Sequence, residues 1–254
     1  MKKETRLAFG VTPSTRRYRL RYARYKALAQ TLAEHSKERG GDDACIFDLL
    51  DIGSGFGRTA QYLEAEGISD RFRFHGVDIK RKRLDRVYQA ERWELKQADV
   101  QEGIPYTDGR FDVAVCEQVI EHLRNPDFVI RESHRVLKPG GLLILGVPIF
   151  PSPLAIARHH LIPPLYSAMG IPLGSHIHFF TLRAITELIL RGDLFDIQEA
   201  RGFRIVSGGP LAFLEDFAWW WRFNLLLGRT LTSLCTEVQI VAVRKEPLDP
   251  GRPE

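Results

Sequence analysis

Short apolar segments alternate along this chain with longer segments whose apolar residues recur every three or four positions. The short segments have the length and composition of buried strands: CIFDLLDIG, RFRFHGVDI, WELKQADV, FDVAVCEQ and GLLILGVPIF. The segments between them predict helices after Gly57, over RKRLDRVYQAE and through PDFVIRESHRVL. Strands that alternate with helices are typical of parallel βαβ units, so we predict an α/β protein with a doubly wound sheet.

Further elements are predicted toward both ends of the chain. From Tyr18 to about His35, leucines and aromatic residues at helical spacing predict a helix before the first strand. TLRAITELILRG predicts a later helix with Thr181 as its cap, and TEVQIVAVRKE predicts a late strand. The segment from Pro151 to Ser175 holds five prolines among apolar residues, which indicates an insertion broken into short pieces.

The segment 210–231 is dense in Phe, Trp and Leu. Four of its residues share one helix face, which is interrupted at Asn224: Phe213, Phe217, Trp220 and Leu227. Such a stripe is more often part of a core. Other apolar residues lie elsewhere on the same helix and predict apolar surface: Trp219, Trp221, Phe223 and Leu225. Because Arg222 and Arg229 accompany them, this surface suits a membrane interface or a cover over an apolar substrate.

Composition narrows the context more than the fold. With 254 residues and 44% hydrophobic content, the chain can bury one full core. Its net charge of +4 is mild and no basic channel is evident, which argues against a nucleic-acid partner. Three distant cysteines, Cys45, Cys116 and Cys235, fit a reducing cytosol without disulfides. We see no signal peptide and no run of about 18 apolar residues, and expect a cytoplasmic protein, soluble or peripherally membrane-bound.

The stretch LLDIGSGFGRTA, residues 49–60, indicates which kind of cofactor the first strand-to-helix turn holds. The dinucleotide fingerprint is G-x-G-x-x-G, but Arg58 stands where its third glycine belongs, and the spacing is G-x-G-x-G instead. No Lys-Ser/Thr pair follows the glycines, which excludes a phosphate-binding P-loop. Asp51 would repel a pyrophosphate and attract an ammonium group. The turn therefore favours a cationic ligand without phosphates.

Two more acids follow the next two predicted strands. Asp78 stands about 20 residues past the glycines, where an acid accepts hydrogen bonds from ribose hydroxyls. Asp99 can accept a hydrogen bond from an adenine amine, while Val100 covers the ring. Three acids after three successive strands describe a nucleoside with an attached cation. Each of these residues also has a purely structural alternative. The glycines can simply allow the chain to turn from strand to helix, Asp78 can cap a helix, and Asp99 can lie in a turn.

These motifs, LLDIGSGFG, GVDI, ADV, FDVAVCEQVIEHL and LKPGG, occur in an order that resembles class I S-adenosylmethionine-dependent methyltransferases of the small-molecule, methyltransferase-11-like type. The resemblance implies a Rossmann-like, doubly wound, seven-stranded, mostly parallel sheet with an antiparallel last strand, in a three-layer αβα sandwich. FDIQEARGF and TEVQIVAVRK are its candidate last hairpin. It also implies S-adenosylmethionine as cofactor, S-adenosylhomocysteine as product, and these binding residues: Asp51, Gly53, Ser54, Gly55, Asp78, Ile79, Asp99, Val100 and Glu117.

The candidate catalytic residues follow the fourth predicted strand. Glu121 and His122 can face the reaction cleft, with His176 and His178 reaching it from later in the chain, and a histidine can deprotonate a hydroxyl near neutral pH. The segment resembles the E-x-x-E-H run of metal-binding methyltransferases, but Gln118 replaces the first acid. We therefore predict no metal. A structural role for the Glu-His pair is the alternative.

The sequence thus predicts a single class I methyltransferase domain. Its parts are a helical extension (1–43), a cofactor-binding core (44–148), a proline-rich insertion or lid (149–180), a C-terminal half (181–246) and a tail (247–254). The expected activity is methyl transfer to an O, N or C nucleophile of a small or lipid-linked molecule, with segment 210–231 as a candidate membrane contact. The alternative is a binding protein of the same fold that holds the cofactor without turnover.

Overall fold

The computed structural model describes residues 23–40, 45–150, 178–205, 214 and 217–246. Among them, seven strands form one sheet: β1 (Phe47–Ile52), β2 (Phe72–Asp78), β3 (Trp93–Gln97), β4 (Phe111–Glu117), β5 (Leu137–Pro148), β6 (Phe195–Phe203) and β7 (Glu237–Arg244). The strand order is β3-β2-β1-β4-β5-β7-β6. β7 runs antiparallel to both of its neighbours, and the other pairs are parallel. The predicted fold class and its last hairpin are confirmed.

Helices flank this sheet: α1 (Ala23–Gly40), α2 (Arg58–Ala65), α3 (Arg81–Leu84), α4 (Pro126–Val136), α5 (Leu182–Leu190) and α6 (Ala218–Thr230). Thr181 caps α5 by accepting a hydrogen bond from the Ala184 N–H at 3.1 Å, as predicted. The helix predicted over RKRLDRVYQAE is much shorter, because the chain turns back toward α2. There the Tyr88 N–H donates to the Phe56 carbonyl at 3.0 Å.

Buried apolar side chains cover both faces of the sheet and give the three-layer sandwich. One layer packs α4 and α5 against the sheet and includes Leu50, Ile130 and Ile185. The other packs α1 and α2 and includes Leu28 and Leu63. Since both faces are covered, the central strands are apolar along nearly their whole length, which explains their uninterrupted hydrophobic segments in the sequence.

Strand order places the candidate site. β1 lies between β2 and β4, so the connections after β1 and β4 leave the sheet in opposite directions. In doubly wound sheets, ligands bind outside the carboxyl ends of the strands at such a switch point. The glycine turn after β1 and the acids after the neighbouring strands meet at this place.

The helix predicted in the aromatic segment is present as α6, but its buried face differs from the predicted one. Phe217 precedes the helix and is half exposed, while Trp220 and Asn224 are buried. Asn224 was predicted to interrupt the buried stripe and instead belongs to it. Its Oδ1 accepts a hydrogen bond from the Ile205 N–H at 3.2 Å, which satisfies a backbone donor just after β6. Phe213 lies outside the described residues.

Some predictions concern residues that the structure does not describe. These include the start of the N-terminal extension, the proline-rich segment between Pro151 and Ser175, and the tail. The division of the chain into parts therefore stays a prediction. All three cysteines are free, with Cys116 and Cys235 buried and Cys45 exposed. None of the described helices has the length and apolarity needed to cross a membrane.

Candidate cofactor site and active site

A cavity of about 640 Å³ opens at the switch point, a size suited to a nucleoside-like ligand. The loops after β1, β2, β3 and β4 surround it, and the first turn of α1 closes it on one side. Eight of the nine predicted cofactor residues line it: Gly53, Ser54, Gly55, Asp78, Ile79, Asp99, Val100 and Glu117. The ninth, Asp51, lies buried at the end of β1.

The glycine turn requires glycine for two physical reasons. Gly53, Gly55 and Gly57 all have φ between 57° and 73°, a left-handed conformation that other residues adopt only with strain. A Cβ on Gly53 would also lie 2.4 Å from Cγ2 of Val119, so the backbone there is packed against its neighbour. A Cβ on Gly55 would meet only the Gly53 carbonyl, at 3.8 Å. Gly55 thus leaves its side of the turn open toward the cavity.

Asp78 connects β2 to the glycine turn. Its Oδ2 accepts a hydrogen bond from the Gly55 N–H at 3.1 Å, and its Oδ1 accepts one from the Lys80 N–H at 2.8 Å. Arg83 Nη1 lies 3.4 Å from Oδ2. The carboxylate is nearly inaccessible to solvent but borders the cavity. It is therefore held in one position at the cavity edge.

Asp99 and Val100 follow β3 on the far side of the cavity. Asp99 Oδ1 accepts a hydrogen bond from the Gln101 N–H at 2.9 Å, which fixes the loop, and Val100 is buried. The exposed side chain of Ile79 also lines the cavity. A polar group accompanied by two apolar side chains suits the edge and faces of a flat ring.

Asp51 lies behind the turn in an unfavourable electrostatic environment. Burial raises the pKa of its carboxyl to about 7, against a hydrogen bond from Thr59, and the nearby Glu117 and Asp78 carboxylates raise it further. The charged form is disfavoured because water is excluded and these neighbouring charges are negative. A cation entering the cavity would reverse that preference.

The structure adds a cation that the sequence analysis did not place here. Arg24, in the first turn of α1, is 3% exposed, and its Nε lies 2.7 Å from Oε2 of Glu117. Its Nη1 donates to Glu237 at 2.9 Å, and Gln239 donates to both Glu117 and the Arg24 carbonyl. Burial lowers the pKa of Arg24, but the surrounding carboxylates, led by Glu237, outweigh it and raise the pKa. This network joins α1 to the ends of β4 and β7.

The comparisons with known proteins agree with this arrangement. The family whose description is "Methyltransferase domain" matches residues 50–145, which span the glycine turn, the acids after β2 and β3, and the end of β4. Over residues 50–145 the chain therefore matches a methyltransferase family, as the sequence motifs predicted. S-adenosylmethionine is the methyl donor that this family implies.

Two curated relatives of this chain are named for small molecules. A 27-O-demethylrifamycin SV methyltransferase from Amycolatopsis mediterranei is 35% identical over 137 residues, 51% of this chain and 47% of its own length. A ubiquinone biosynthesis O-methyltransferase from Pseudomonas aeruginosa is 32% identical over 103 residues, 39% of this chain and 43% of its own length. The chain thus spans less than half the length of these relatives.

Solved structures share the fold over most of the chain. An S-adenosylmethionine dependent methyltransferase from Mesorhizobium loti has a TM-score of 0.53 and 15% identity, covering 87% of this chain and 100% of its own. The [4+2]-cyclase SpnF has a TM-score of 0.57 and 17% identity, covering 87% of this chain and 82% of its own. A protein named as a cyclase on this fold illustrates that architecture alone does not determine the reaction.

The residues that line this cavity fit a polar, nucleoside-like ligand. Ser54 and Gln118 line it, and Ser54 Oγ and Gln118 Nε2 are buried without a hydrogen-bond partner in the described part of the chain. Buried polar atoms in folded proteins are nearly always paired, so a polar ligand that reached these two atoms would satisfy them. Gln118 also has a left-handed backbone, with φ of 57°, at the end of β4. Such strain is typical of functional sites.

The candidate catalytic residues occupy different environments. His122 lines the cavity and is partly exposed, whereas Glu121 is buried and does not line it. Neither Glu121 oxygen has a hydrogen-bond partner within the described residues, and Nε2 of His122 lies 3.9 Å from Oε1 of Glu121. Burial raises the pKa of Glu121 to about 7. The Glu121 carbonyl accepts a hydrogen bond from the His178 N–H at 3.1 Å.

His178 lies next to Glu121, one of the predicted catalytic pair, through this backbone hydrogen bond. Its Nε2 is buried without a partner in the described part of the chain, and its ring packs 5.6 Å from that of Phe180. His176, the third predicted catalytic residue, lies outside the described residues. Among the described residues no group of three or more His, Cys, Asp or Glu side chains is arranged to hold a metal ion.

Proposed function

We propose that this chain transfers a methyl group from S-adenosylmethionine to an O, N or C nucleophile of a small or lipid-linked molecule. One observation carries the proposal. The carboxylates that follow β1, β2, β3 and β4 surround or underlie a single cavity with an open glycine turn at its base. The buried Asp51 and Glu117 favour a ligand cation near the glycine turn. Basic residues line the cavity as well: Arg24, Arg58, Lys80 and Arg83.

Each part of the cavity has a distinct task in holding the donor. Asp78 accepts hydrogen bonds from the ribose hydroxyls, and the Asp99–Val100 pair recognises the adenine edge and face. Glu117, Gln118 and Ser54 border the methionyl end. When bound, S-adenosylmethionine supplies an electrophilic methyl group and leaves as S-adenosylhomocysteine. The chain therefore has mainly to align the nucleophile, exclude water and accept a proton where the nucleophile carries one.

His122 is our proposed base for an acceptor that must lose a proton. It lines the cavity at the methionyl end, where an aligned nucleophile would approach. Glu121 lies beneath it, buried and with a pKa near 7, and stabilises the imidazolium as the proton arrives. His178 is placed to orient Glu121 through their backbone contact. Glu121 and His178 are thus positioning residues in this proposal.

The acceptor class follows from the named relatives. Both the rifamycin and the ubiquinone enzyme are named for small molecules, and the latter for an O-methyltransferase activity. We therefore propose a small-molecule acceptor for this chain. The proline-rich segment 149–180 is our proposed lid over that acceptor. The second candidate, a cofactor-binding protein without turnover, is favoured only by the burial of Glu121, which removes one predicted base from the cavity.

Isothermal titration of the full chain tests the donor. We expect S-adenosylmethionine and S-adenosylhomocysteine to bind, and Asp78→Asn to weaken both by tenfold or more, because a buried charge-assisted acceptor is lost. Asp70→Asn is the matched control, since its side chain is 96% exposed and lies before β2 rather than after it. Tighter binding of NAD than of S-adenosylmethionine would overturn the proposed donor.

Transfer of a labelled methyl group into metabolite and lipid extracts tests turnover. We expect a labelled product with the wild type, a strongly reduced rate with His122→Ala, and unchanged donor affinity in that variant. Donor binding without turnover on any extract would favour the cofactor-binding alternative. Unchanged turnover in His122→Ala would remove His122 as the base.

A further inference from the structure

Helix α6 presents a stripe of large apolar side chains to solvent. Trp219, Phe223 and Leu226 are 58%, 44% and 65% exposed, and their spacing of four and three residues puts them on one face. Phe217, just before the helix, extends the stripe and is 50% exposed. Exposed single apolar residues are common, but a contiguous aromatic stripe is typical of an interaction surface.

The opposite face of α6 is fixed to the protein. Asn224 binds the backbone after β6, and Trp220 is buried beside it. Gly228 packs so closely that a Cβ on it would lie 1.9 Å from the Gly202 carbonyl oxygen. The helix therefore cannot rotate to bury the stripe without breaking these contacts. The apolar stripe is a stable feature of the surface.

Positive charge accompanies the stripe. A groove of about 280 Å³ lies between α1, β6 and α6, and four of its lining residues are cations: Lys26, Arg201, Arg222 and Arg229. Apart from Arg201, which pairs with Glu199, these cations make no ion pair within the described residues. None of the described carboxylates lines the groove, and the sequence has no Asp or Glu between Asp216 and Glu237. Four cations thus lie beside the aromatic stripe in a groove that no described carboxylate lines.

We propose that the stripe and groove, which we call the α1–α6 surface, dock this protein on an anionic membrane. Aromatic and leucine side chains on one helix face enter the interfacial region of a bilayer, and arginines at their flanks pair with lipid phosphates. Charge complementarity favours an anionic membrane over other occupants. If a second copy of the chain bound through the same surface, the cations of the two grooves would face and repel each other. A basic protein partner would be repelled for the same reason.

The position of α1 relates this surface to the cavity. Arg24 and Tyr25 line the cofactor cavity, while the neighbouring Lys26 and Ala27 line the groove. The first turns of α1 therefore border both the groove and the cofactor cavity. Docking does not depend on the methyl acceptor or on turnover, so this proposal and the proposed function can fail separately.

Co-sedimentation of the full chain with vesicles tests the proposal. Vesicles of phosphatidylcholine alone are compared with vesicles that also contain phosphatidylglycerol. We expect the wild type to sediment with the anionic vesicles, and the variant Trp219→Ser, Phe223→Ser, Leu226→Ser to partition at least tenfold less. Arg222→Gln with Arg229→Gln should lose most of the preference for anionic lipid and its sensitivity to salt.

Matched controls separate docking from general hydrophobicity and from misfolding. Ile46→Ser and Leu190→Ser remove apolar side chains that are 58% and 48% exposed on other surfaces, and should leave sedimentation unchanged. Retained far-UV circular dichroism and donor affinity show that the stripe variant is folded. Trp220 is left intact because it is buried. The proposal would be overturned if the wild type and the stripe variant sedimented equally with anionic vesicles. It would also be overturned if the wild type did not sediment with them at all. A wild-type dimer that the stripe variant abolishes would overturn it as well.

Discussion

The cofactor cavity and the α1–α6 surface share one helix and are built in opposite ways. The cavity gathers carboxylates from the ends of three strands that are far apart in sequence, and the buried cation that lines it, Arg24, is held by two acids. The α1–α6 surface takes its aromatic residues from a single 13-residue helix and leaves them exposed. Topology creates the first site, whereas local composition creates the second. Substitutions at the cavity should therefore affect elements that are distant in sequence. Substitutions on the α1–α6 surface should affect that surface alone.

The largest effect is expected at Arg24. Arg24→Gln leaves the buried Glu117 without its cation and leaves Glu237 paired with Arg204 alone. Losing one partner of a buried pair costs about 3–5 kcal/mol of unfolding free energy in comparable cases. Urea denaturation followed by circular dichroism measures the loss. The matched control is Arg183→Gln, which removes an exposed ion pair with Glu187 on α5 and should cause no measurable change. Similar midpoints for both variants would show that the buried network does not stabilise the fold.

A smaller but more selective effect is expected at the glycine turn. Gly53→Ala forces a left-handed residue against Val119 and should lower donor affinity by more than tenfold, because the turn must shift away from its observed position. Gly67→Ala is the control, since Gly67 has φ of 72° and a Cβ added there would have no neighbour within 4 Å. The strain itself costs about 1–2 kcal/mol at either position.

Calorimetry and denaturation of the two alanine variants separate the effects. Both should lose stability, and only Gly53→Ala should lose donor affinity. Equal donor affinity in the two variants would mean that the turn tolerates a side chain and does not position the ligand.

The smallest expected effect is a pH dependence set by Asp51. With its pKa at about 7, Asp51 is partly protonated near neutrality, and a cationic ligand favours the ionised form. Donor affinity should therefore rise by up to about tenfold in total from pH 6 to pH 8 and level off above the pKa, with a proton released on binding at the lower pH. Titrations in buffers of different ionisation enthalpy report that proton. Asp51→Asn should flatten the profile, and an unchanged profile would exclude Asp51 as its source.

The Asp51 carboxyl should also make the stability of the fold depend on pH, but stability should fall with rising pH whereas donor affinity rises. Its pKa is raised by folding, from about 4 in the unfolded chain. The folded state thus holds the proton that the unfolded state releases, and stability falls as pH rises from about 4 through 7. Asp51→Asn removes this fall, so the variant should be more stable than the wild type above pH 7 in the absence of ligand. The difference between the two proteins isolates Asp51 from Glu121, which titrates in the same range.

The sequence predicted the parts of the molecule whose signals are local. Uninterrupted apolar strands, the spacing of the glycines, and the acids after β2 and β3 each depend on a few neighbouring residues. Parallel strand topology then brings Asp78 and Asp99 to one edge without further information. The roles of these residues toward the donor stay predictions, although their shared position in one cavity is now observed.

Arg24 was missed because its partners are distant and its surroundings in sequence are basic. In the segment TRRYRLRYARYK it resembled a solvated cation. A signal was present: Arg24, Leu28 and Leu32 share one helix face, and both leucines are fully buried. A cation in line with buried leucines indicates a buried partner. The partners themselves, Glu117 at the end of β4 and Glu237 in β7, are identified only by the folded structure. The burial of Glu121 was hidden for a similar reason, since it depends on how the turn after β4 packs.

Arg24 and Glu237 are separated by 213 residues. This contact can form only when the last strand of the sheet is in place, and closing such a long loop is slow compared with local steps. The glycine turn and the first acids can assemble earlier, from the N-terminal part of the chain. During synthesis, the cavity would therefore acquire its base first and be closed by α1 only after β7 has left the ribosome.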